Sequence, residues 1–479
     1  MTIARIENLK DSNILDTDSY KLSHWKQYPE GTTQMMSYFE SRGGPYETAT
    51  LFGLQYLLHR YLAEPVTVEL VEEAAAFAQA HGEPFNRDGW MHIVTKYGGK
   101  LPLTIRAIPE GLQVPVSNAL ITVEANDPEC FWVASWVETM LVRLWYPSTI
   151  ATTSRESKKI LVKYLEMTSD LDPTQEVLFK LHDFGARGVT SQEQARLGGA
   201  AHLTNFLGSD TLEGIRMVNH YYSCNMAGFS IPASEHSTVT MWGRDKELEM
   251  FDHYVDTYLC QVQTPPGVPK LAACVSDTYN IFEATKAWVS EPLRSKIKKS
   301  GGTLINRPDS GEPTEILPQI FQVLEANLGS EITRNSKGFK VLPQWIRVIQ
   351  GDGINIRSME EILKVISGLG WSTENLAFGS GGGLLQNINR DTQKWAFKCC
   401  AAKVNGEWRD VRKDPITDQG KRSKAGRLDL IRNTDGAFET VVLGPDAESH
   451  PNSVMQTVFL NGDILVHHTL DEVRERMRL

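Results

Sequence analysis

The chain has 479 residues, of which 41% are hydrophobic and 23% charged, and its formal net charge is −10. This is ordinary globular composition, enough for two or three domains. It excludes a globally basic nucleic-acid footprint, so any anionic ligand must be held by individually placed cations. Six cysteines without a CxxC pair or a disulfide-like spacing fit structural thiols in a reducing compartment and offer no zinc motif.

The N-terminal stretch MTIARIENLKDSNILDTDSYK has acidic residues and no continuous apolar segment of the secretory kind. No uncharged apolar run of about 18 residues occurs anywhere, which predicts a soluble, cytoplasmic protein. Strand-like pieces follow at 32–60 (TTQMMSYFES) and 102–125 (LPLTIRAIPEG, LQVPVSNALITVEA), and 130–165 reads as a long helix around WYPST.

From about residue 176 the texture changes. Short apolar runs end in polar or glycine-rich residues and alternate with amphipathic helical stretches such as PTEILPQIFQVLEANLG and SMEEILKVISGLG. The runs are VLFKLHDFGARG, LTNFLGSDTLEG, FSIPASEHST, LAACVSDTYN, GTLINRPDSG, WIRVIQGDGIN and NLAFGSGGG. Seven βα units with their unusual residues just after each strand predict a parallel α/β barrel over 176–395, with one working face at the strand C-termini. An open doubly wound sheet would also place ligands at strand ends, but concentrated at one crevice. Beyond 395, strand-like pieces return (WAFKCCAAKVNG, AFETVVLG, SVMQTVFLNGDILV). Segments 1–175 and 396–479 are expected to pack together as a β-rich domain, the first also contributing to a dimer interface.

The strand ends carry the chemistry. In HDFGARG, Phe184 can stack on a flat ring and Arg187 can bind a phosphate. Asp210 in GSD can accept from an amide NH2 but would repel a carboxylate. SEHST places His236 beside Glu235, and Asp277 ends the next strand in VSDTY, where it can orient the imidazole; a phosphoryl acceptor or a general acid are both open to that histidine. RPDSG offers Arg307 for phosphate oxygens and Asp309 for a sugar diol, while QGDG sets Asp352 between glycines. The glycines of LAFGSGGGLL, at 379, 381, 382 and 383, read either as a tight turn or as a phosphate cradle. Each of these stretches is also a plausible βα turn taken singly. Their recurrence at equivalent positions is what points to one pocket. A basic stretch after the barrel (Lys398, Arg412, Lys413, Lys421, Arg422, Lys424, Arg427) can supply charge to a pyrophosphate or remain a solvated loop.

Taken in order, TDSYKLSHWKQYP, SYFESR, KLHDFGARG, GSDT, PASEHST, VSDTYN, RPDSG, VIQGDG, FGSGGGLLQ and KDPITDQGKRSKAGRL run almost the whole length of the chain, and this series resembles the nicotinamide phosphoribosyltransferases. The resemblance implies a type II phosphoribosyltransferase fold, an irregular α/β barrel plus a β-rich domain, working as a homodimer with shared active sites. It implies formation of nicotinamide mononucleotide and pyrophosphate from nicotinamide and phosphoribosyl pyrophosphate in NAD salvage, with Mg2+ required and ATP hydrolysis coupled. It further implies that Phe184 and Tyr20 of the second subunit sandwich the pyridine, that Asp210 holds the carboxamide, and that Ser230 lines a tunnel beyond the ring.

Arg187, Arg307 and Asp309 are implied for pyrophosphate and ribose, with Gly351 and Asp352 also at the ribose. Gly382, Gly383 and Arg390 are implied for the 5′-phosphate, and Arg42, Lys398, Lys413 and Lys421 for further pyrophosphate contacts. His236 is implied as the residue phosphorylated by ATP, supported by Glu235 and Asp277. Direct metal ligands are left unassigned. The chain departs from the family pattern at Ala186, Phe179 and Ala273, which bear on tunnel polarity and fit. A nicotinate-using enzyme and a noncatalytic protein on the same fold are the competing expectations; Asp210 speaks against the first, and the complete strand-end set against the second.

Overall fold

The computed structural model describes residues 12–265, 268–417 and 422–479. The chain forms two compact units, one made of residues 1–152 and 389–477, the other of 153–388 and 478–479. No helix among the described residues is long and apolar enough to cross a membrane.

The second unit holds a five-stranded parallel sheet. Its strands are β1 (Leu181–Asp183), β2 (Leu271–Val275), β3 (Thr303–Arg307), β4 (Ile346–Gln350) and β5 (Leu376–Ser380), in the spatial order β1-β5-β4-β3-β2. The two remaining runs expected as strands, around GSD and IPAS, are reduced to single parallel bridges. Asp183 pairs with Ser209, Gly208 with Phe229, and Ala233 with Ala273, which closes the ring from β1 round to β2. Local chemistry explains the shortening. Pro232 has no amide to donate, and a Cβ on Gly208 would stand 2.2 Å from Nδ1 of His182, so the backbone comes close at single points instead of running as a ladder.

Helices between the strands bury one stripe each. Ile356–Gly368 starts at Asn355, whose side chain accepts from the Arg357 and Ser358 amides at 2.9 and 3.2 Å, and it buries Met359, Ile362, Leu363 and Ile366 at helical spacing. Loss of that cap costs about 1 kcal/mol. Against the outer face of the sheet, Phe251 and Trp288 pack at 4.1 Å between ring centroids and Phe321 and Trp371 at 4.9 Å, all four essentially fully buried. Aromatic burial of this size is a principal source of the unit's stability.

In the first unit a seven-stranded antiparallel sheet interleaves early and late sequence. Its order is Glu407–Asp410, Trp395–Val404, Thr32–Ser41, Ala119–Ala125, Leu103–Ala107, Gln456–Leu460, Asp463–Ile464. The long helix expected over 130–165 is instead three, Val133–Trp136, Glu138–Val142 and Trp145–Thr168. Pro147 lies in the first turn of the last one, where its missing amide breaks no helical hydrogen bond.

Candidate active site

A cavity of about 1130 Å³ lies within the second unit, with Phe184, Asp210, Ser230, Ala273 and Arg307 among its lining residues. It is larger than a single aromatic ring requires.

Phe184 follows β1, and its amide donates to the Ser380 carbonyl at 2.9 Å, which ties it to the end of β5. Its ring lies over Gly379. A Cβ on Gly351, at the end of β4, would stand 3.6 Å from the same ring and 3.5 Å from Oδ1 of Asp309. The ring platform, the Asp309 carboxylate and a bare stretch of backbone therefore share one space. Asp210 is exposed and accepts a short hydrogen bond from Ser230 Oγ on one carboxylate oxygen, and its amide is anchored to the Asp183 carbonyl at 2.9 Å. One carboxylate oxygen remains available to a ligand N–H.

His236 opens the helix His236–Thr240, half exposed, between two aspartates. Its Nε2 is 3.0 Å from Oδ1 of Asp277, and its Nδ1 is 4.0 Å from Oδ2 of Asp309. The nearly buried Asp277 accepts from Ser310 Oγ on its other oxygen, so that carboxylate is held from two sides. Since a carboxylate can only accept, Asp277 fixes the proton on Nε2 and leaves Nδ1 as the lone-pair nitrogen. Glu235 is the helix N-cap, its carboxylate engaged by Ser237 Oγ, and the imidazole is held by its hydrogen bond to Asp277.

Arg307 donates through Nη2 to the Ser234 carbonyl at 2.9 Å, while its Nε is buried without a protein partner. Arg187, in a turn of 3₁₀ helix at Ala186–Gly188, is exposed, as is Asp352, whose carbonyl accepts from Gln350 Nε2 at 2.9 Å. The glycine run divides by function. A Cβ on Gly383 would meet the Ile354 carbonyl oxygen at 2.3 Å, so this glycine permits close packing, whereas nothing lies within 4 Å of a Cβ on Gly382.

The other expected residues belong to the first unit. Arg42 pairs through Nε with Glu40 at 2.7 Å, and Lys424 pairs with the same buried glutamate at 2.7 Å. Lys398 is 3.8 Å from Glu138. Burial pushes its ammonium pKa down, and nearby Arg42, Arg390 and Lys21 add to that effect while Glu138 opposes it. Arg42, Arg390 and Lys398 thus form one crowded cationic cluster, which an anion would relieve. Tyr20 is 56% exposed, its ring edge-on to His24 at 4.7 Å. Lys413 is exposed and its backbone pairs with Ser423. Lys421 lies outside the described residues.

As candidate magnesium ligands, the strand ends offer Asp309, whose Oδ1 is 3.5 Å from a Cβ on Gly351, and the exposed Asp352 that follows that glycine, hard oxygen groups suited to a cation that would arrive with a diphosphate. In the first unit His92, Asp127 and Cys130 bring ligand atoms within 4.8 Å, but Lys96 Nζ already stands 2.7 Å from Asp127 where a cation would bind.

Several neighbours of the site were not read from the sequence. His182 lines the cavity 6.1 Å from Phe184 between ring centroids, and burial lowers its pKa. A period-two reading of His-Asp-Phe would have placed both rings on one side. Ser310 and Phe229 carry no such local signal, and Gly379, read from the sequence as part of a turn or a phosphate cradle, lies beneath Phe184. Of the departures from the family pattern, Phe179 and Ala273 line the cavity and Ala186 is exposed on its turn.

Residues 179–463 match the profile of the nicotinate phosphoribosyltransferase (NAPRTase) family, and residues 12–105 that of the nicotinamide phosphoribosyltransferase N-terminal domain. A nicotinamide phosphoribosyltransferase of Xanthomonas campestris is 48% identical over 467 residues, covering 97% of both chains. One from Acinetobacter baylyi is 31% identical over 494 residues, covering 96% of each. Among solved structures, nicotinate-nucleotide pyrophosphorylase from Pyrococcus furiosus superposes with a TM-score of 0.59 at 15% identity, covering 100% of this chain and 97% of that one. Human nicotinic acid phosphoribosyltransferase does so with 0.51 at 16%, covering 96% and 92%. At such identities these two establish the fold, that of the type II phosphoribosyltransferases.

Proposed function

The chain belongs to the nicotinate phosphoribosyltransferase family, and on that premise we propose that it transfers the phosphoribosyl group of phosphoribosyl pyrophosphate to nicotinamide, giving nicotinamide mononucleotide and pyrophosphate in NAD salvage. The observation that carries the choice of the amide is Asp210. An exposed carboxylate bordering the cavity that holds the Phe184 platform accepts from a carboxamide N–H and repels a nicotinate carboxylate.

In this reading the pyridine rests on Phe184 and its ring nitrogen faces the ribose C1′. The nitrogen lone pair forms the new C1′–N bond as the C1′–O bond breaks, and the electron pair leaves with pyrophosphate. The neutral nucleophile has no proton to lose, so the residues act by positioning and by charge rather than as a base. Arg187 and Arg307 hold pyrophosphate oxygens; Asp309, Gly351 and Asp352 receive the ribose; Gly382 and Gly383 receive the 5′-phosphate. Asp309 and Asp352 are the carboxylates that would hold magnesium arriving with the diphosphate, which would supply positive charge to the leaving group.

His236 is the acceptor of the ATP γ-phosphoryl group. With Asp277 on Nε2–H, Nδ1 is the attacking nitrogen and ADP leaves. Tyr20, Arg42, Arg390, Lys398, Lys413 and Lys421 of one subunit complete the site of the other in a cytoplasmic homodimer. A competition assay of nicotinamide against nicotinate, with purified protein and magnesium phosphoribosyl pyrophosphate, tests the assignment. Selective formation of the amide mononucleotide is expected; preference for the acid would make this a nicotinate phosphoribosyltransferase, and no product would leave a binding protein.

A further inference from the structure

The Asp277 carboxylate is held by two groups, and only one of them has a task so far. Its Oδ1 accepts from His236 Nε2 at 3.0 Å, and its Oδ2 accepts from the hydroxyl of Ser310, 33 positions further along the chain. Among the described residues these are its side-chain donors, and the Asp277 side chain is only 4% exposed. A serine in a Pro-Asp-Ser-Gly turn ordinarily bends its hydroxyl back onto its own backbone. The exposed Ser310 instead spends its hydroxyl across the strand ends, on the carboxylate that faces the proposed phosphoryl acceptor.

The backbone fixes this meeting. β2 and β3 run parallel, their last pair is Val275 with Arg307, and the Ser276 amide beyond it donates to the Arg307 carbonyl at 3.0 Å. Asp277 and Ser310 are the second and third residues past that pair, on neighbouring strand ends. Ser276 is itself anchored, its hydroxyl accepting from Trp288 Nε1 at 3.0 Å. Gly311, at φ +83°, then turns the chain away toward the helix Pro313–Leu328, in a conformation that residues with a side chain rarely adopt. The segment leading to His236 is tied to β2 from the other side. The Ser234 amide donates to the Ala273 carbonyl at 3.0 Å, and the Val275 amide donates to Ser234 Oγ at 2.8 Å. Histidine, aspartate and serine thus arrive from three separate segments, each pinned just before the residue it presents.

We propose that Ser310 is a positioning residue for the phosphoryl acceptor: its hydroxyl locks the Asp277 carboxylate so that Oδ1 stays on Nε2–H and the Nδ1 lone pair is presented to ATP. This rests on the reading of His236 as the residue phosphorylated. In that step the Nδ1 lone pair forms the N–P bond, the P–O bond to ADP breaks, and its electron pair leaves with ADP. Positive charge grows on the imidazole, and the anion opposite Nε2–H balances it. Ser310 exchanges no bond with ATP and acts through Asp277. The lock matters because a second carboxylate competes for the ring: Asp309 Oδ2 stands 4.0 Å from Nδ1. An imidazole that slackens on Asp277 can turn toward Asp309 and carry its proton on Nδ1, which then has no lone pair for attack. Without the serine, Oδ2 of a nearly buried carboxylate would lack a donor, and the side chain would rotate to find one.

The experiment follows the rate at which the full-length enzyme, with magnesium and ATP labelled at the γ-phosphate, takes up acid-labile, base-stable label. Ser310→Ala should slow this rate by about tenfold or more, since the acceptor is misplaced rather than removed. Ser310→Thr keeps the hydroxyl and should restore most of the rate. In an Asp277→Ala background, adding Ser310→Ala should change little, because the group through which the serine acts is already gone. A wild-type rate in Ser310→Ala, no rescue by threonine, or a full further loss on top of Asp277→Ala overturns the proposal. If Ser310→Ala does not fold, Ser310→Cys, with its weak S–H donor, decides: it should be slowed as well, and a wild-type rate there overturns the role of Ser310. His236→Ala, measured in parallel, separates the two readings. Label retained in that variant removes the premise and this inference with it, whereas label lost there but unchanged in Ser310→Ala removes only this inference.

Discussion

Gly379 lies directly beneath the ring of Phe184: a Cβ on that glycine would stand 1.9 Å from Cε2 of the ring. The first glycine of the LAFGSGGGLL run is thus the seat of an aromatic platform, while Gly383 allows close packing on the Ile354 carbonyl and Gly382 faces open space. One short glycine run serves three different needs.

Gly379→Ala should therefore push the Phe184 ring off its seat and raise the KM for nicotinamide by about tenfold or more, since misplacing a ring platform forfeits stacking and orientation together. The KM for phosphoribosyl pyrophosphate should move much less. Gly382→Val is the counterpart. It should fold, because nothing lies within 4 Å of its Cβ, and should weaken phosphoribosyl pyrophosphate instead. Steady-state kinetics with each substrate varied separates the two effects, and full phosphoribosyl pyrophosphate affinity in folded Gly382→Val would return that glycine to being only part of a turn.

His236→Ala should abolish stimulation by ATP while a slow, ATP-independent transfer persists. Asp277→Asn should reduce the stimulation without removing the nucleophile, since Asp277 holds the imidazole through Nε2 at 3.0 Å. Turnover measured with and without ATP checks both. Continued ATP stimulation in His236→Ala would dismiss the phosphohistidine.

Asp210→Ser should erode the preference for the amide by about ten- to a hundredfold in relative kcat/KM, through loss of both an acceptor for the carboxamide and a charge that opposes nicotinate. Paired kinetics on nicotinamide and nicotinate give the ratio directly.

His202 is fully buried, with Nδ1 accepting from Ser154 Oγ at 3.0 Å and Nε2 donating to the Leu181 carbonyl at 3.1 Å. Burial lowers its pKa from 6.5 to about 3. The unfolded chain therefore binds a proton that the folded chain refuses between these values, and stability falls as pH drops below 6.5. At about pH 5 the loss should be on the order of 2 kcal/mol relative to pH 7. Urea unfolding across that range should show it, and His202→Gln, which cannot titrate, should show a shallower decline.

The proposed homodimer predicts complementation. Phe184→Ala and Arg390→Ala subunits, each inactive alone, should regain part of the activity when mixed, because one site of the mixed dimer combines an intact barrel with an intact partner contribution. Sedimentation should find a dimer. A monomer, or mixing without recovery, would confine the site to a single chain.

The sequence by itself determined the parts that are local. Alternation of apolar runs and amphipathic stretches announced the parallel sheet, because strand and helix periods are written residue by residue. The Arg, Asp, His and Phe at the strand ends were legible because a parallel α/β fold gathers those ends on one face. A series of short motifs in fixed order was enough to suggest the family. Tertiary structure alone decided what depends on contacts between distant segments. It reduced two expected strands to single bridges, because Gly208 and Pro232 suit close approach rather than a ladder. Glu235 became a helix cap and His236 was left between Asp277 and Asp309, residues 41 and 73 positions away in the chain. It also laid Phe184 on Gly379 and buried the Asp183 carboxylate beside Gly199. Spacing carries no record of such meetings, since they are set by which side chains the packed ring of strands excludes from water and which it brings face to face.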